Sequence, residues 1–260
     1  MNTVEKAITS VMRRFSSDDD DDEQQVVDVQ VVSKPEDVPK EPIHGKPTVV
    51  DWNILGSVQA VRLSLVSAGV KFVDIRIDPG ERSSEEYKQT WIQAQASLED
   101  VLLFTNLPYF LDGQVALSHP DSILKHIART YDLMGEAGQE HIIDQTLEEL
   151  HDLERTLLTL YHIEGRKVAA DWCRIMAPMK LAKWQRFLGQ KPFLTGMSLS
   201  VADLKLYVFL FKLQAVERDG IPDWTPYMKR IENLPKIKAY MSSPHYMLRP
   251  ASEFTSESCQ

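Results

Sequence analysis

The sequence predicts a two-domain protein, in which an α/β domain built on a mixed sheet precedes an all-helical domain. From Pro47 onwards, apolar segments follow one another in the order strand, helix, strand, helix, hairpin, helix. A mixed sheet flanked by helices satisfies that order. From Ile142 onwards, apolar residues recur at helical spacing only, which is typical of a helical bundle. We therefore expect a first domain at residues 47–134, a loop at 135–140, a second domain at 141–250 and a flexible tail at 251–260.

The first 46 residues are predicted to be a disordered acidic extension. Residues 18–23 are an unbroken acidic run, and such a block repels itself and stays solvated. Residues 25–32 alternate loosely, as a strand would, but no partner is evident nearby. Residues 34–46 contain three prolines and one glycine among charges, which is typical of a linker. Residues 1–17 are either a frayed amphipathic helix or an organelle-targeting segment.

The first domain is expected to open with a buried strand at 48–50, a helix at 57–68 and a second strand at 70–77. Residues 83–94 form a polar, helical or irregular segment that contains Trp91. Residues 106–117 are predicted to form a hairpin, because Asp112-Gly113 is a strong signal for a tight turn. Ser118 is expected to cap the next helix, with Pro120 in its first turn.

The second domain is expected to contain long helices at residues 142–161, 168–188 and 201–216, and a short one at 235–241. The third of these is apolar nearly all round, which predicts a central buried helix. Ser200 and Asp203 stand at its start with the spacing of a capping box.

Composition excludes several classes of function. The net charge of −9 argues against nucleic acid as a partner. Cys173 and Cys259 are the only cysteines, which fits a reducing compartment, and no Cys/His cluster has the spacing of metal ligands. No apolar run is long enough to cross a bilayer. We expect a cytoplasmic protein, with organelle targeting by residues 1–17 as the alternative.

Several segments together resemble one family. Residues 106–113 read Asn-Leu-Pro-Tyr-Phe-Leu-Asp-Gly, residues 123–129 read Ile-Leu-Lys-His-Ile-Ala-Arg, and residues 133–136 read Leu-Met-Gly-Glu. Residues 187–196 and the helix start at 200–203 follow in the same order. This ordered set resembles the cytosolic glutathione S-transferases, most closely the Mu-like class, and it covers residues 47–250.

The resemblance implies a thioredoxin-like first domain and a helical second domain. It also implies a homodimer that conjugates reduced glutathione to small hydrophobic electrophiles, as in detoxification. Glutathione is then a co-substrate, and no cofactor or metal is expected. The alternative is a protein of the same fold that binds or scaffolds, with little or no catalysis.

The resemblance also implies a set of glutathione contacts. A cis bond is expected between Leu107 and Pro108, so that the backbone of Leu107 pairs with the cysteinyl part of glutathione. The implied contacts are Trp52, Lys88, Trp91, Gln95, Asn106, Leu107 and His119. Trp52 and Trp91 are alternatively core aromatics, and Lys88 a solvated surface charge.

Three further residues are implied in the second domain. Asp152 matches an acid that reaches across the dimer to the γ-glutamyl amine, although a plain surface carboxylate is the alternative. Tyr161 and His162 fall where the Mu class places a proton donor in the electrophile pocket, although a tyrosine that merely packs is the alternative.

The sequence departs from the family at two places. The Mu class lowers the thiol pKa with a tyrosine at the end of the first strand, but here Asp51 or Trp52 takes that place. Asn53 and Ser57 are the remaining candidate donors for catalysis, and Ser57 is alternatively a helix cap. The second departure is His119-Pro120, which replaces a hydroxyl and a backbone N–H that would hold the γ-glutamyl carboxylate.

Overall fold

The computed structural model describes residues 26–247, and it contains a mixed five-stranded sheet followed by a helical domain. The strands are β1 (Val27–Val32), β2 (Thr48–Trp52), β3 (Phe72–Ile77), β4 (Tyr109–Asp112) and β5 (Val115–Ser118). The first-domain helices are α1 (Gln59–Ala68), α2 (Gln89–Ala94) and α3 (Pro120–Thr130). The second-domain helices are α4 (Glu140–Thr159), α5 (Arg166–Ile175), α6 (Ala177–Leu188), α7 (Val201–Val216), α8 (Thr225–Glu232) and α9 (Pro235–Met241). The predicted fold class is confirmed.

The strand order is β1-β3-β2-β4-β5, in which β1, β3 and β2 are parallel and β4 and β5 are antiparallel. One face of the sheet packs against α1, α3 and the second domain in a single large core. The other face carries a smaller core that includes Trp91 and Tyr109. Strand residues alternate between these two faces because successive side chains point to opposite sides of a strand.

The folded region begins earlier than the sequence predicted. Residues 27–32 form the edge strand β1, which pairs with β3 from Val27 opposite Phe72 to Val32 opposite Ile77. The chain then crosses the smaller core, where Val38 is buried and the carbonyl of Pro39 accepts a hydrogen bond from the Tyr109 hydroxyl at 2.6 Å. The expected disordered extension at 1–46 is therefore wrong for residues 27–46, and residues 1–25 lie outside the described part.

Helix α7 begins as the sequence predicted, and it carries the most buried part of the second domain. Ser200 and Asp203 cap it reciprocally, which confirms the capping box. Two other predicted caps are wrong. Strand β5 includes Ser118, so His119 is the residue that precedes α3, and Val58 rather than Ser57 precedes α1. Pro120 lies in the first turn of α3, as expected.

The predicted helix at 168–188 is divided into α5 and α6 at Met176, and α8 lies in a region where the sequence predicted no helix. Within residues 26–247, no helix is both long enough and apolar enough to cross a membrane. Among the same residues, no group of three or more His, Cys, Asp or Glu side chains has an arrangement that would hold a metal ion.

Candidate functional site

The candidate site lies at the edge of the sheet where β2 ends and β4 begins. Because β2 and β4 are antiparallel with Val50 opposite Tyr109, the residues after Val50 lie beside the residues before Tyr109. Tyr109 is also opposite Ser118 at the end of β5. The topology thus brings together three short segments that the sequence identified separately: residues 51–53, 106–108 and 118–119.

The Leu107–Pro108 peptide bond is cis, as predicted. Pro108 is buried and Asn106 is exposed. The backbone N–H of Leu107 donates a hydrogen bond to the Asn106 side-chain oxygen at 2.9 Å, so this strand-like donor is already engaged within its own loop. A ligand that accepts a hydrogen bond from the Leu107 N–H must displace the Asn106 oxygen, which the sequence did not predict.

His119 closes this edge just before α3. It has a positive φ of 73°, a conformation that a non-glycine residue adopts at a cost and that recurs at functional sites. One of its ring nitrogens lies 3.0 Å from the Ser118 hydroxyl, and its ring meets Phe104 edge-on at 6.2 Å between centroids. His119 is itself exposed and stands at a helix N-terminus, where backbone N–H groups favour anions.

Lys88 and Trp52 lie together. The Lys88 ammonium is 5.7 Å from the centre of the Trp52 ring and 4.9 Å from that of Tyr87. A cation over aromatic faces at these distances is attracted by the ring quadrupole. Lys88 is half-buried, and these two ring contacts place its ammonium group against aromatic faces.

Trp91, a predicted glutathione contact, is buried in the protein interior. Its side chain is only 7% exposed and belongs to the smaller core, where its ring stacks on Tyr109 with 6.2 Å between centroids. This environment is that of the core aromatic, the alternative left open by the sequence. Gln95 is half-buried at the end of α2. A role for either residue in ligand binding stays a prediction.

The residues predicted for catalysis differ in solvent exposure. Asn53 is exposed and Ser57 is half-buried. Asp51, one of the two residues predicted to stand in place of the tyrosine of the Mu-like pattern, is only 5% exposed and shares the sheet face of Val49. Burial raises the pKa of Asp51 to about 7, although Arg62 and a hydrogen bond from the Trp52 backbone oppose this.

A buried charge cluster lies beside Asp51 on the same face of the sheet. The fully buried Arg62 donates to Asp74 at 2.9 Å, and Arg76 donates to the other oxygen of Asp74 at 2.7 Å. Burial lowers the pKa of Arg62, but Asp74 outweighs this and holds it above its ordinary value. This cluster was not predicted from the sequence, although the alternation of Asp74 and Arg76 places both side chains on one face of β3.

The second-domain residues lie on α4 and in the wide helical turn that follows it. Asp152 is exposed, 3.4 Å from Arg155, and lines a groove of about 490 Å³ between α4 and α6 with Trp184 and Phe187. Tyr161 is 7% exposed, and its ring meets that of His162 edge-on at 5.5 Å. The structure therefore does not gather Asp152 with the residues at the sheet edge within one chain.

Comparison with known proteins gives one consistent result. Residues 151–244 match the family model described as "Glutathione S-transferase, C-terminal domain". The chain is 31% identical over 204 residues to glutathione S-transferase Mu 2 of Macaca fuscata fuscata. The aligned region covers 76% of this chain and 92% of that relative. It is 29% identical over 206 residues to a glutathione S-transferase of Tyrophagus putrescentiae, and the aligned region covers 77% of this chain and 92% of that relative.

Among solved structures, the Pi-class glutathione S-transferase of Onchocerca volvulus superposes with a TM-score of 0.63 at 25% identity, covering 75% of this chain and 91% of that one. About a quarter of this chain therefore lies outside the aligned regions, whereas these regions include nearly the whole of each relative.

Proposed function

The chain belongs to the glutathione S-transferase family, as a Mu-like member, and from that premise we propose that it conjugates reduced glutathione to small electrophiles. The proposal rests on one observation. The cis Leu107–Pro108 segment, the end of β2 and the start of α3 meet at one edge of the sheet. This edge offers backbone pairing groups, the aromatic rings of Trp52 and Tyr87 beside Lys88, and a helix N-terminus, and these suit a small peptide with carboxylates at both ends.

Each part of glutathione has a proposed partner in this region. Lys88 attracts the glycyl carboxylate, as a point charge held against Trp52. The Leu107 backbone pairs with the cysteinyl part after the Asn106 oxygen has moved away. The first turn of α3 and His119 receive the γ-glutamyl carboxylate. Tyr161 and His162 line the electrophile pocket of this proposal.

The thiol must lose a proton before it attacks, because the thiolate is the nucleophile. Asn53 and Ser57 are the proposed donors to the sulfur. Asp51 acts in two ways, since its pKa is raised to about 7. Its neutral carboxyl group is a hydrogen-bond donor below that pH, whereas above it the carboxylate repels a thiolate and disfavours activation.

Pro120→Ser is expected to tighten glutathione binding at least about tenfold. The substitution restores a hydroxyl and an N–H at the helix start, and one hydrogen bond to a charged group contributes about 1.5–3 kcal/mol, where 1.4 kcal/mol is a factor of ten. Retention on immobilised glutathione and calorimetry measure the affinity, and a model aryl halide reports conjugation. Pro226→Ser is the matched control, because Pro226 occupies the first turn of the remote helix α8.

Two outcomes contradict the proposal. If the unmodified chain neither binds immobilised glutathione nor conjugates the aryl halide above background, the binding or scaffold alternative holds. If Pro120→Ser leaves the affinity unchanged while the unmodified chain conjugates, glutathione binds elsewhere than at the start of α3.

A homodimer is part of the proposal. Leu103 and Phe104 are 87% and 64% exposed beside the cis-proline loop, and large exposed apolar pairs are typical of protein interfaces. Sedimentation velocity is expected to give twice the 29.7 kDa of one chain. Phe104→Ser is expected to shift the mass towards one chain, whereas the control Ile92→Ser, at another exposed apolar residue, leaves it unchanged. A monomeric unmodified chain at micromolar concentration rules the dimer out.

The location in the cell is inferred from membership of the family. We propose a cytoplasmic location, and targeting by residues 1–17 stays the alternative prediction, since these residues lie outside the described part.

A further inference from the structure

The exposed apolar side chains of the described region are concentrated in one part of the second domain. Single exposed apolar residues are ordinary on a protein surface, whereas a contiguous group marks an interaction site. Six of the ten large hydrophobic residues found exposed lie between residues 163 and 187: Ile163, Val168, Ile175, Met176, Met179 and Phe187.

Helices α5 and α6 present several of these residues on one face. Met176, which joins the helices, keeps a right-handed helical conformation with φ −95° and ψ −39°. Its N–H donates to the Trp172 carbonyl at 2.8 Å, and its carbonyl accepts from the Lys180 N–H at 3.3 Å, so the helical phase continues. Val168, Ile175 and Met179 are spaced by seven and four residues and therefore share the outer face, at 41%, 66% and 65% exposure.

The segment that carries this face is basic in an acidic protein. Residues 166–191 contain seven Lys or Arg and one Asp, whereas the whole chain has a net charge of −9. Arg174 pairs with Asp171 and Lys180 with Glu149. Lys167, Lys183 and Arg186 form no ion pair with any residue between 26 and 247. Positive charge is thus free beside the exposed aliphatic residues.

We propose that the outer face of α5 and α6 binds the anionic surface of a lipid bilayer, with the helix axis parallel to the membrane. The two helices and Met176 extend over roughly 35 Å at 1.5 Å per residue. A face of this length places aliphatic side chains in the headgroup boundary while lysine and arginine side chains reach the lipid phosphates. Binding to anionic lipid draws on both features, because basic residues near the surface are attracted to its negative potential.

Other partners would match only one of the two features of this surface, its charge or its apolar residues. A nucleic acid would meet the cations but leave Ile175 and Met179 in water, and the acidic remainder of the chain would repel it. A second copy of the chain that met this face with its own outer face would cover the apolar residues but place two basic surfaces against each other. The bilayer surface satisfies the apolar and the charged residues together.

Vesicle flotation of the full chain tests the proposal. We expect binding to phosphatidylcholine vesicles that contain phosphatidylserine, little binding to phosphatidylcholine alone, and release as salt is raised. Ile175→Glu combined with Met179→Glu is expected to weaken partition into anionic vesicles at least about tenfold. Lys183→Gln and Arg186→Gln are each expected to weaken it about fivefold, since each removes one cation. Ile92→Glu is the matched control, because Ile92 is 52% exposed on α2 and its replacement is expected to leave partition unchanged.

Three results overturn the proposal. The first is that the unmodified chain does not float with anionic vesicles at low salt. The second is that the Ile175/Met179 variant floats as well as the unmodified chain, which assigns binding to another part of the chain; the third is that this variant loses dimer mass while the unmodified chain does not float, which makes this face an interface between copies. Glutathione conjugation in solution is expected to be the same in every variant, so the outcome is independent of the proposed enzyme activity.

Discussion

Asp203→Ala is expected to unfold the chain or to leave it barely stable. Asp203 is fully buried at the start of α7. Its two oxygens accept hydrogen bonds from the Leu194 N–H at 2.8 Å, the Tyr227 hydroxyl at 2.8 Å, and the Ser200 N–H at 3.0 Å and hydroxyl at 2.6 Å. Alanine leaves these donors without a partner, and each buried unpaired donor costs about 1–3 kcal/mol.

The combined loss exceeds about 4 kcal/mol, which is a large part of the 5–15 kcal/mol that typically stabilises a domain. Denaturant unfolding followed by tryptophan fluorescence measures the free energy of unfolding. Asp203→Asn keeps one acceptor oxygen and is expected to lose less. Asp171→Ala removes an exposed carboxylate paired with Arg174 and is expected to change stability by no more than about 0.5 kcal/mol. A loss below 1 kcal/mol for Asp203→Ala contradicts the central role of this cap.

Asp51→Asn is expected to change the way in which the stability of the chain depends on pH. The pKa of Asp51 is about 7 in the folded chain because of burial, against about 3.9 for an unperturbed aspartate. The folded state therefore holds a proton that the unfolded state has lost between these two values. Stability falls as pH rises through this window, since folding favours the protonated form.

Three pKa units correspond to about 4 kcal/mol. Asparagine does not titrate, so the variant is expected to match the unmodified chain near pH 4 and to exceed its unfolding free energy by up to about 4 kcal/mol near pH 8. Urea unfolding at several pH values measures both curves, and their difference removes the contribution of groups that the substitution leaves unchanged. Asp171→Asn serves as the exposed control. Parallel curves for Asp51→Asn and the unmodified chain would show that Asp51 is ionised in the folded state.

Features set by neighbouring residues were predictable from the sequence. Ser200 and Asp203 are three residues apart, and their reciprocal cap depends on nothing outside that turn. The Asp112-Gly113 turn is equally local, and it links β4 to β5 as predicted. The cis bond at Leu107–Pro108 was predictable through the family resemblance alone.

Features set by distant residues were not predictable in this way. The alternation at 27–32 was visible, but its partner β3 begins 45 positions further on, with Val27 opposite Phe72, and a single sequence does not show such a pairing. The hydrogen bond between Asn106 and the Leu107 N–H depends on the loop conformation rather than on the motif. The burial of Trp91 likewise requires the earlier segment around Val38 to cover the smaller core.

The contact between Arg76 and the end of the described chain has a consequence for synthesis. Arg76 on β3 donates a hydrogen bond at 2.6 Å to the carbonyl of His245, 169 residues later. Ribosomes release a chain from its N-terminus, so the first domain emerges with this guanidinium group lacking its last partner. The sheet can form early, but its charged face is completed only when the final segment leaves the ribosome. A truncated or stalled product is thus expected to expose an unfinished sheet to chaperones and proteases, whereas the complete chain does not.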